Sequence, residues 1–132
     1  MIVLDASALI AFLDPADALH GAATASMLAL EGRRLTISPL THAEVLVGPV
    51  RAGTLGPTRA AMTDLAIAEV ALPADAAIRL AQLRARTRLR LPVCCVVLAA
   101  QQSRAAILTF DDRLAAAACD LEIGVVAPHA PG

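Results

Sequence analysis

The chain contains no lysine, because all eleven of its basic residues are arginine. This absence excludes the phosphate-binding lysine of P-loop proteins, catalytic lysines that form Schiff bases, and the lysine of phospho-acceptor receiver domains. Aromatic residues make up only 2% of the chain, so recognition of bases by stacking has few side chains to use. The chemistry must therefore come from carboxylates, hydroxyls and arginines.

Cysteine and histidine are also scarce, with three of each, and no C-x-x-C motif is present. This pattern argues against a zinc site. Cys94 and Cys95 are adjacent and would need a strained ring to pair with each other. The sequence therefore predicts reduced, buried thiols in a reducing compartment.

The length of 132 residues predicts one domain spanning residues 1–132, with a tail at about 127–132 that frays. Hydrophobic residues make up 58% of the chain and mean hydropathy is +0.67, which favours a packed aliphatic core. Charged residues and prolines interrupt the apolar runs before they reach membrane-spanning length. The first residues carry no basic leader, so we expect a cytoplasmic protein. A net charge of −1 gives no overall positive field for binding nucleic acid.

Strand and helix patterns alternate along the chain. Strands are predicted at 1–4, 35–38, within 67–72, at 105–110 and at 123–126. Helices are predicted at 7–13, 17–30, 39–47, 58–68, 73–90, 92–102 and 111–118, and glycines and prolines within 48–57 predict a bend and a loop. This alternation predicts an α/β fold with a central parallel sheet covered by helices on both faces.

Three acidic residues follow predicted strands. Asp5 ends the first strand, Asp111 ends the strand at 105–110, and Glu44 lies about one helical turn after the strand at 35–38. Ligands of open α/β sheets collect at the carboxyl ends of the strands, where these acids would repel one another without a counter-ion. The pattern predicts a site for a hard divalent cation, Mg²⁺ or alternatively Mn²⁺.

Each acid also has a simpler interpretation. Asp5 and Asp111 both precede predicted helices, where aspartate is an ordinary N-cap. Glu44 has apolar neighbours on both sides, so its carboxylate needs either a partner or a metal. Ser7, Thr41 and Thr109 lie two or three residues from the acids, where their hydroxyls would either hold water around a metal or cap helices.

Arginines concentrate at the end of one predicted helix, at Arg84, Arg86, Arg88 and Arg90. They are candidates for contacts to RNA phosphates. The alternative is a solvated helix end whose positive charge complements the helix dipole.

Four segments together resemble a known family. They are Met1-Ile-Val-Leu-Asp5-Ala-Ser7-Ala-Leu-Ile, Thr41-His-Ala-Glu44-Val-Leu-Val-Gly-Pro, Leu91-Pro92 opening an alanine-rich helix, and Leu108-Thr109-Phe-Asp111-Asp-Arg-Leu. In order and spacing they are similar to PIN-domain ribonucleases of the VapC toxin type, over essentially the whole chain.

The resemblance implies a PIN-like three-layer α/β/α sandwich and a Mg²⁺-dependent endoribonuclease toxin of a type II toxin–antitoxin system. It implies that Asp5, Glu44 and Asp111 bind metal, with Asp112 as a fourth catalytic participant. It also implies an RNA substrate, a cognate VapB-like antitoxin and a homodimer.

The sequence departs from the family at the helix that follows Leu91-Pro92. The family usually places an aspartate at the start of this helix, where this chain has Val93. Loss of one carboxylate predicts impaired cleavage. The alternatives are a catalytically defective module that binds RNA or antitoxin without cutting, and a receiver-like domain, against which the absence of lysine argues.

Overall fold

The computed structural model describes residues 1–126, and the predicted fraying of the tail at 127–132 lies outside the described residues. The strands are β1 (Ile2–Leu4), β2 (Leu35–Ile37), β3 (Ala68–Glu69) and β4 (Ala106–Leu108). The helices are α1 (Ala6–Leu13), α2 (His20–Ala29), α3 (Pro39–Ala52), α4 (Leu55–Asp64), α5 (Ala76–Thr87), α6 (Leu91–Ser103) and α7 (Asp112–Asp120).

The four strands form one parallel sheet in the order β3-β2-β1-β4. In the central strand, Ile2 pairs with residues of both neighbours, Leu35 in β2 and Ala106 in β4. Because the strands run in the same direction, the carboxyl ends of β2, β1 and β4 lie side by side at one edge. That edge is where the candidate acids follow their strands.

Side chains of the sheet alternate between two apolar clusters, as a period of two requires. Val3 and Ile107 pack on one face with residues of α5, α6 and α7. Ile2 and Leu4 pack on the other face with residues of α1, α2, α3 and α4. The expected three-layer α/β/α sandwich is therefore confirmed.

The central segment differs from the prediction, because 48–57 is mostly helical rather than a bend and a loop. α3 continues through Pro49 to Ala52 and ends at Gly53, whose φ of 75° suits glycine. Pro57 lies in the first turn of α4, where backbone N–H groups have no partner inside the helix. Pro57 therefore costs α4 little, whereas Pro49 lies inside α3 and removes one of its backbone hydrogen bonds.

Other boundaries shift as well. α2 begins at His20 rather than at residue 17, because the Asp14 and Asp17 carboxylates accept hydrogen bonds from backbone N–H groups two residues later and form turns. α5 ends at Thr87, before the predicted limit of residue 90. The last predicted strand, 123–126, is reduced within the described residues to one bridge, between Ile107 and Val125.

The cysteines are free thiols, of which Cys94 and Cys95 are buried and Cys119 is exposed. The prediction of buried thiols is wrong for Cys119, which lies in the last turn of α7 on its solvent side. Among residues 1–126, no helix is long and apolar enough to cross a membrane.

Candidate functional site

Asp5 lies directly after β1 and is only 6% exposed. It occupies the N-cap position of α1, but its side chain makes no capping hydrogen bond. Its Oδ2 atom instead accepts hydrogen bonds from Ser7 Oγ and Thr109 Oγ1, both at 2.7 Å. The sequence-based alternative of a simple cap therefore does not describe this side chain.

The two hydroxyls tie β1 to the segment after β4. Thr109 Oγ1 also accepts from the backbone N–H of Asp111 at 2.9 Å, and Ser7 Oγ accepts from that of Phe110 at 3.0 Å. Each hydroxyl has one proton, and both donate to the same oxygen of Asp5, so together they fix the orientation of this carboxyl group. Within the described residues, Oδ1 of Asp5 receives no hydrogen bond and remains available to a ligand.

Asp111 is the N-cap of α7. Its Oδ1 accepts from the backbone N–H groups of Arg113 at 2.9 Å and Leu114 at 3.3 Å. The capping interpretation therefore holds for Asp111, which stays linked to Asp5 through Thr109. Asp112, the first residue of α7, is exposed.

Glu44 lies on α3 and is partly buried. Burial raises the pKa of its carboxyl, the Arg90 guanidinium lowers that pKa, and the nearby Asp5 carboxylate raises it. Asp5 and Glu44 are therefore close enough for their charges to interact. Glu44 also lines a cavity of about 370 Å³ between α1, α3 and the start of α4.

Within the described residues, Thr41 makes no hydrogen bond to these acids. Its backbone N–H donates to Ser38 Oγ at 3.2 Å, and the two hydroxyls are 3.0 Å apart, so Thr41 belongs to the N-terminal cap of α3. Of the three hydroxyl residues singled out in the sequence, Ser7 and Thr109 contact an acid and Thr41 contacts another hydroxyl.

On α6, Val93 packs in the same apolar cluster as Leu83 and Leu89. Cys95, also on α6, is 1% exposed and belongs to neither apolar cluster. Burial raises the pKa of its thiol, and the neighbouring Cys94 and the Glu44 carboxylate raise it further. Sequence reasoning missed Cys95. The one indication in the sequence was that residues 93 and 95 lie two apart on a helix and therefore point to different sides of it.

The predicted arginine group divides into three parts. Arg84 donates to the backbone carbonyl of Leu89 at 2.8 Å and so helps to close the end of α5. Arg86 and Arg88 are exposed beside α7 and line a separate cavity. Arg90 is the N-cap of α6, and its charge acts on Glu44.

The donor chemistry fits a hard divalent ion, although no cage is preformed. Among residues 1–126, no three His, Cys, Asp or Glu side chains gather closely enough to hold a metal. Mg²⁺ usually keeps several waters and binds one or two protein carboxylates, so it does not need such a cage. Asp5, with its available oxygen, and Glu44 fit that requirement.

Comparisons with known proteins agree with this architecture. The family model described as PIN domain matches residues 2–119. The fold is similar to a toxin–antitoxin complex from Klebsiella pneumoniae (TM-score 0.78, 24% identity, 98% of each chain covered). It is also similar to VapC20 from Mycobacterium tuberculosis, described as a sarcin–ricin loop cleaving toxin (TM-score 0.75, 17% identity, 89% of this chain and 95% of the other). A third similar structure is FitAcB from Neisseria gonorrhoeae (TM-score 0.67, 18% identity, 97% of this chain and 98% of the other). No sequence among curated proteins matches the chain.

Proposed function

The chain belongs to the PIN domain family, and from that premise we propose that it is a Mg²⁺-dependent endoribonuclease toxin of a type II toxin–antitoxin system. Mn²⁺ is the alternative ion. The observation that carries the proposal is the buried Asp5 carboxylate, which two hydroxyls hold by one oxygen while the other oxygen is available.

The proposed metal-binding residues are Asp5 and Glu44, with Asp111 reaching the ion directly or through water. A bound divalent ion would supply Lewis acidity and stabilise negative charge on a phosphodiester. Asp112 stays proposed as a further catalytic participant, and its exposed position beside Asp111 supports a contact with substrate rather than with a buried ion.

The chain's own groups have separable roles. Ser7 and Thr109 orient the Asp5 carboxyl group, because both donate to its Oδ2 atom. Thr109 also holds the backbone at Asp111, which fixes the start of α7 relative to β1. Arg90 offsets the charge of Glu44, and its guanidinium is suited to a substrate phosphate.

We expect cleavage to be impaired, because α6 contributes no carboxylate to the site. The sequence assigned this defect to Val93, but its apolar surroundings and the proximity of Cys95 to Glu44 favour position 95 as the place where a carboxylate is missing. The second candidate function is a PIN-like module that binds RNA or antitoxin without cutting. The same absence of an acid on α6 favours it.

A cognate VapB-like antitoxin is the proposed protein partner. The structure from Klebsiella pneumoniae, described as a toxin–antitoxin complex, supports this partner, since it covers 98% of the chain with the same fold. The homodimer implied by the family resemblance and a cytoplasmic location remain proposals.

Incubation of the purified chain with RNA in Mg²⁺, Mn²⁺ and EDTA tests the proposal. We expect slow cleavage that EDTA abolishes and that Asp5→Asn reduces at least tenfold. Asp17→Asn serves as a matched control, because Asp17 accepts a backbone hydrogen bond in an exposed turn outside the candidate site. Cleavage that persists in EDTA or in Asp5→Asn would contradict it, whereas RNA binding without cleavage under any condition would select the binding module.

A further inference from the structure

A second candidate binding surface lies outside the acidic site, in a groove between the end of α5 and one side of α7. The groove encloses about 520 Å³ and is lined by Arg86, Arg88, Arg113 and Asp120, among others. We define this surface as the arginine groove. Arg113 lies on α7, far in sequence from the arginines of α5, so only the tertiary structure brings the three together.

The three guanidinium groups of the arginine groove have no protein partner within the described residues. They form no ion pair there, although Asp120 lines the same groove, and they donate no hydrogen bond. Arg84 and Arg79, by contrast, donate to Leu89 O and to Gln102 Oε1. Unpaired like charges repel one another, so an anion in the groove would relieve that repulsion.

The arginine groove carries a positive net charge, although the chain as a whole does not. Three arginines and one aspartate give it a formal charge of +2, whereas the whole chain has a net charge of −1. Helix stability does not explain the position of Arg113, because it lies in the first turn of α7, at the positive end of the helix dipole.

We propose that the arginine groove binds the sugar–phosphate backbone of RNA, a proposal that rests on the proposed function. Guanidinium groups bind phosphate oxygens in a bidentate manner. No aromatic residue lines the groove, so contacts to the backbone rather than stacked bases fit it. None of the exposed large hydrophobic residues lies in the groove.

The groove lies next to the candidate site along the chain at two points. Arg113 comes two residues after Asp111, and Arg88 comes two residues before Arg90, whose charge acts on Glu44. A strand whose phosphates lie in the groove would therefore lie beside the segments that carry Asp111 and Arg90. Unlike the group predicted from sequence, this surface includes Arg113 and excludes Arg84.

Binding of a fluorescein-labelled, single-stranded RNA of mixed sequence to the full chain tests the proposal, measured by anisotropy in EDTA so that cleavage plays no part. We expect the double variant Arg86→Ala/Arg113→Ala to bind roughly tenfold more weakly. The slope of log K against log salt should become shallower by about 1.4, because each phosphate contact to a single strand contributes about 0.7. The control Arg34→Ala removes an exposed arginine that precedes β2, at the edge of the sheet opposite the candidate acids, and should change neither quantity.

Arg113→Lys should keep the salt slope but weaken binding, because the charge remains and the bidentate geometry is lost. This variant separates a binding effect from a folding defect, and circular dichroism melting checks all variants. Unchanged RNA affinity and an unchanged salt slope in the double variant would overturn the proposal that the arginine groove binds RNA. An acidic peptide such as polyglutamate that binds more tightly than RNA, and is sensitive to the same substitutions, would overturn it in favour of a protein partner. The binding assay contains EDTA and does not depend on cleavage. A chain that binds RNA through the arginine groove but does not cleave it would therefore count against the proposed nuclease activity and not against the groove.

Discussion

Placing a carboxylate on α6 tests how the candidate site is built. Two positions compete, since the sequence indicates Val93 and the structure indicates Cys95. We expect Cys95→Asp to create a metal-responsive site and Val93→Asp to damage the core. Cys95→Ser provides a matched, uncharged control of nearly the same size.

The two substitutions should differ in stability. Val93→Asp removes a buried side chain worth about 1.5–3 kcal/mol and adds a charge to an apolar cluster, so we expect a loss of at least ~3 kcal/mol. In a domain of this size that loss lowers Tm by roughly 10 °C or more. Cys95→Asp also destabilises the chain in EDTA, because the new charge lies near Glu44.

Metal should reverse only one of these losses. For a dissociation constant of roughly 1 mM, 10 mM Mg²⁺ stabilises the folded state by ~1.4 kcal/mol, which recovers several degrees of Tm. The assay is thermal unfolding in EDTA and in Mg²⁺, followed by RNA cleavage. We expect Mg²⁺ to raise Tm and to speed cleavage clearly more in Cys95→Asp than in Val93→Asp or Cys95→Ser, which keep only the parent's carboxylates near Glu44. A rise confined to Val93→Asp would refute the assignment of position 95, and no rise in either aspartate variant would refute a metal site facing α6.

Three further predictions follow from individual contacts. The fold raises the pKa of Glu44, so the contribution of this carboxyl group to stability is complete below pH 4.5 and is lost as pH rises through the folded pKa. Glu44→Gln should therefore be more stable than the parent at pH 7 and equal to it at pH 4. Urea unfolding that shows the reverse order would contradict this prediction. Thr109→Val leaves Asp5 without one donor and a backbone N–H without its acceptor, so it should cost about 2–3 kcal/mol in urea unfolding, and a loss under about 0.5 kcal/mol would be inconsistent with the network. Of the three thiols, only the exposed Cys119 should react rapidly with Ellman's reagent at pH 8, and the buried Cys94 and Cys95 should react only after unfolding. Fast reaction of two or more thiols in the native chain would argue against the burial of Cys94 and Cys95.

The order of the elements could be predicted from the sequence because hydrophobic periodicity depends on neighbours along the chain. Short apolar runs ending in Asp5 or just before Asp111 identified β1 and β4 and the residues that follow them. Glycine and proline were misleading in 48–57, because their cost depends on where they fall within a helix. Pro57 falls in a first turn, where it is tolerated.

The sequence by itself determined the parallel α/β architecture and the acids that follow three strands, since both follow from local pattern and from the direction of parallel strands. Which oxygens of these acids are engaged depended on contacts across the sheet, such as the one between Asp5 and Thr109, 104 residues apart. Tertiary structure likewise decided that Val93 packs in an apolar cluster while the charge of Glu44 acts on Cys95, and that Arg113 joins Arg86 and Arg88. The rotation of a helix about its axis and the meeting of distant segments are set by packing, which no local stretch of sequence contains.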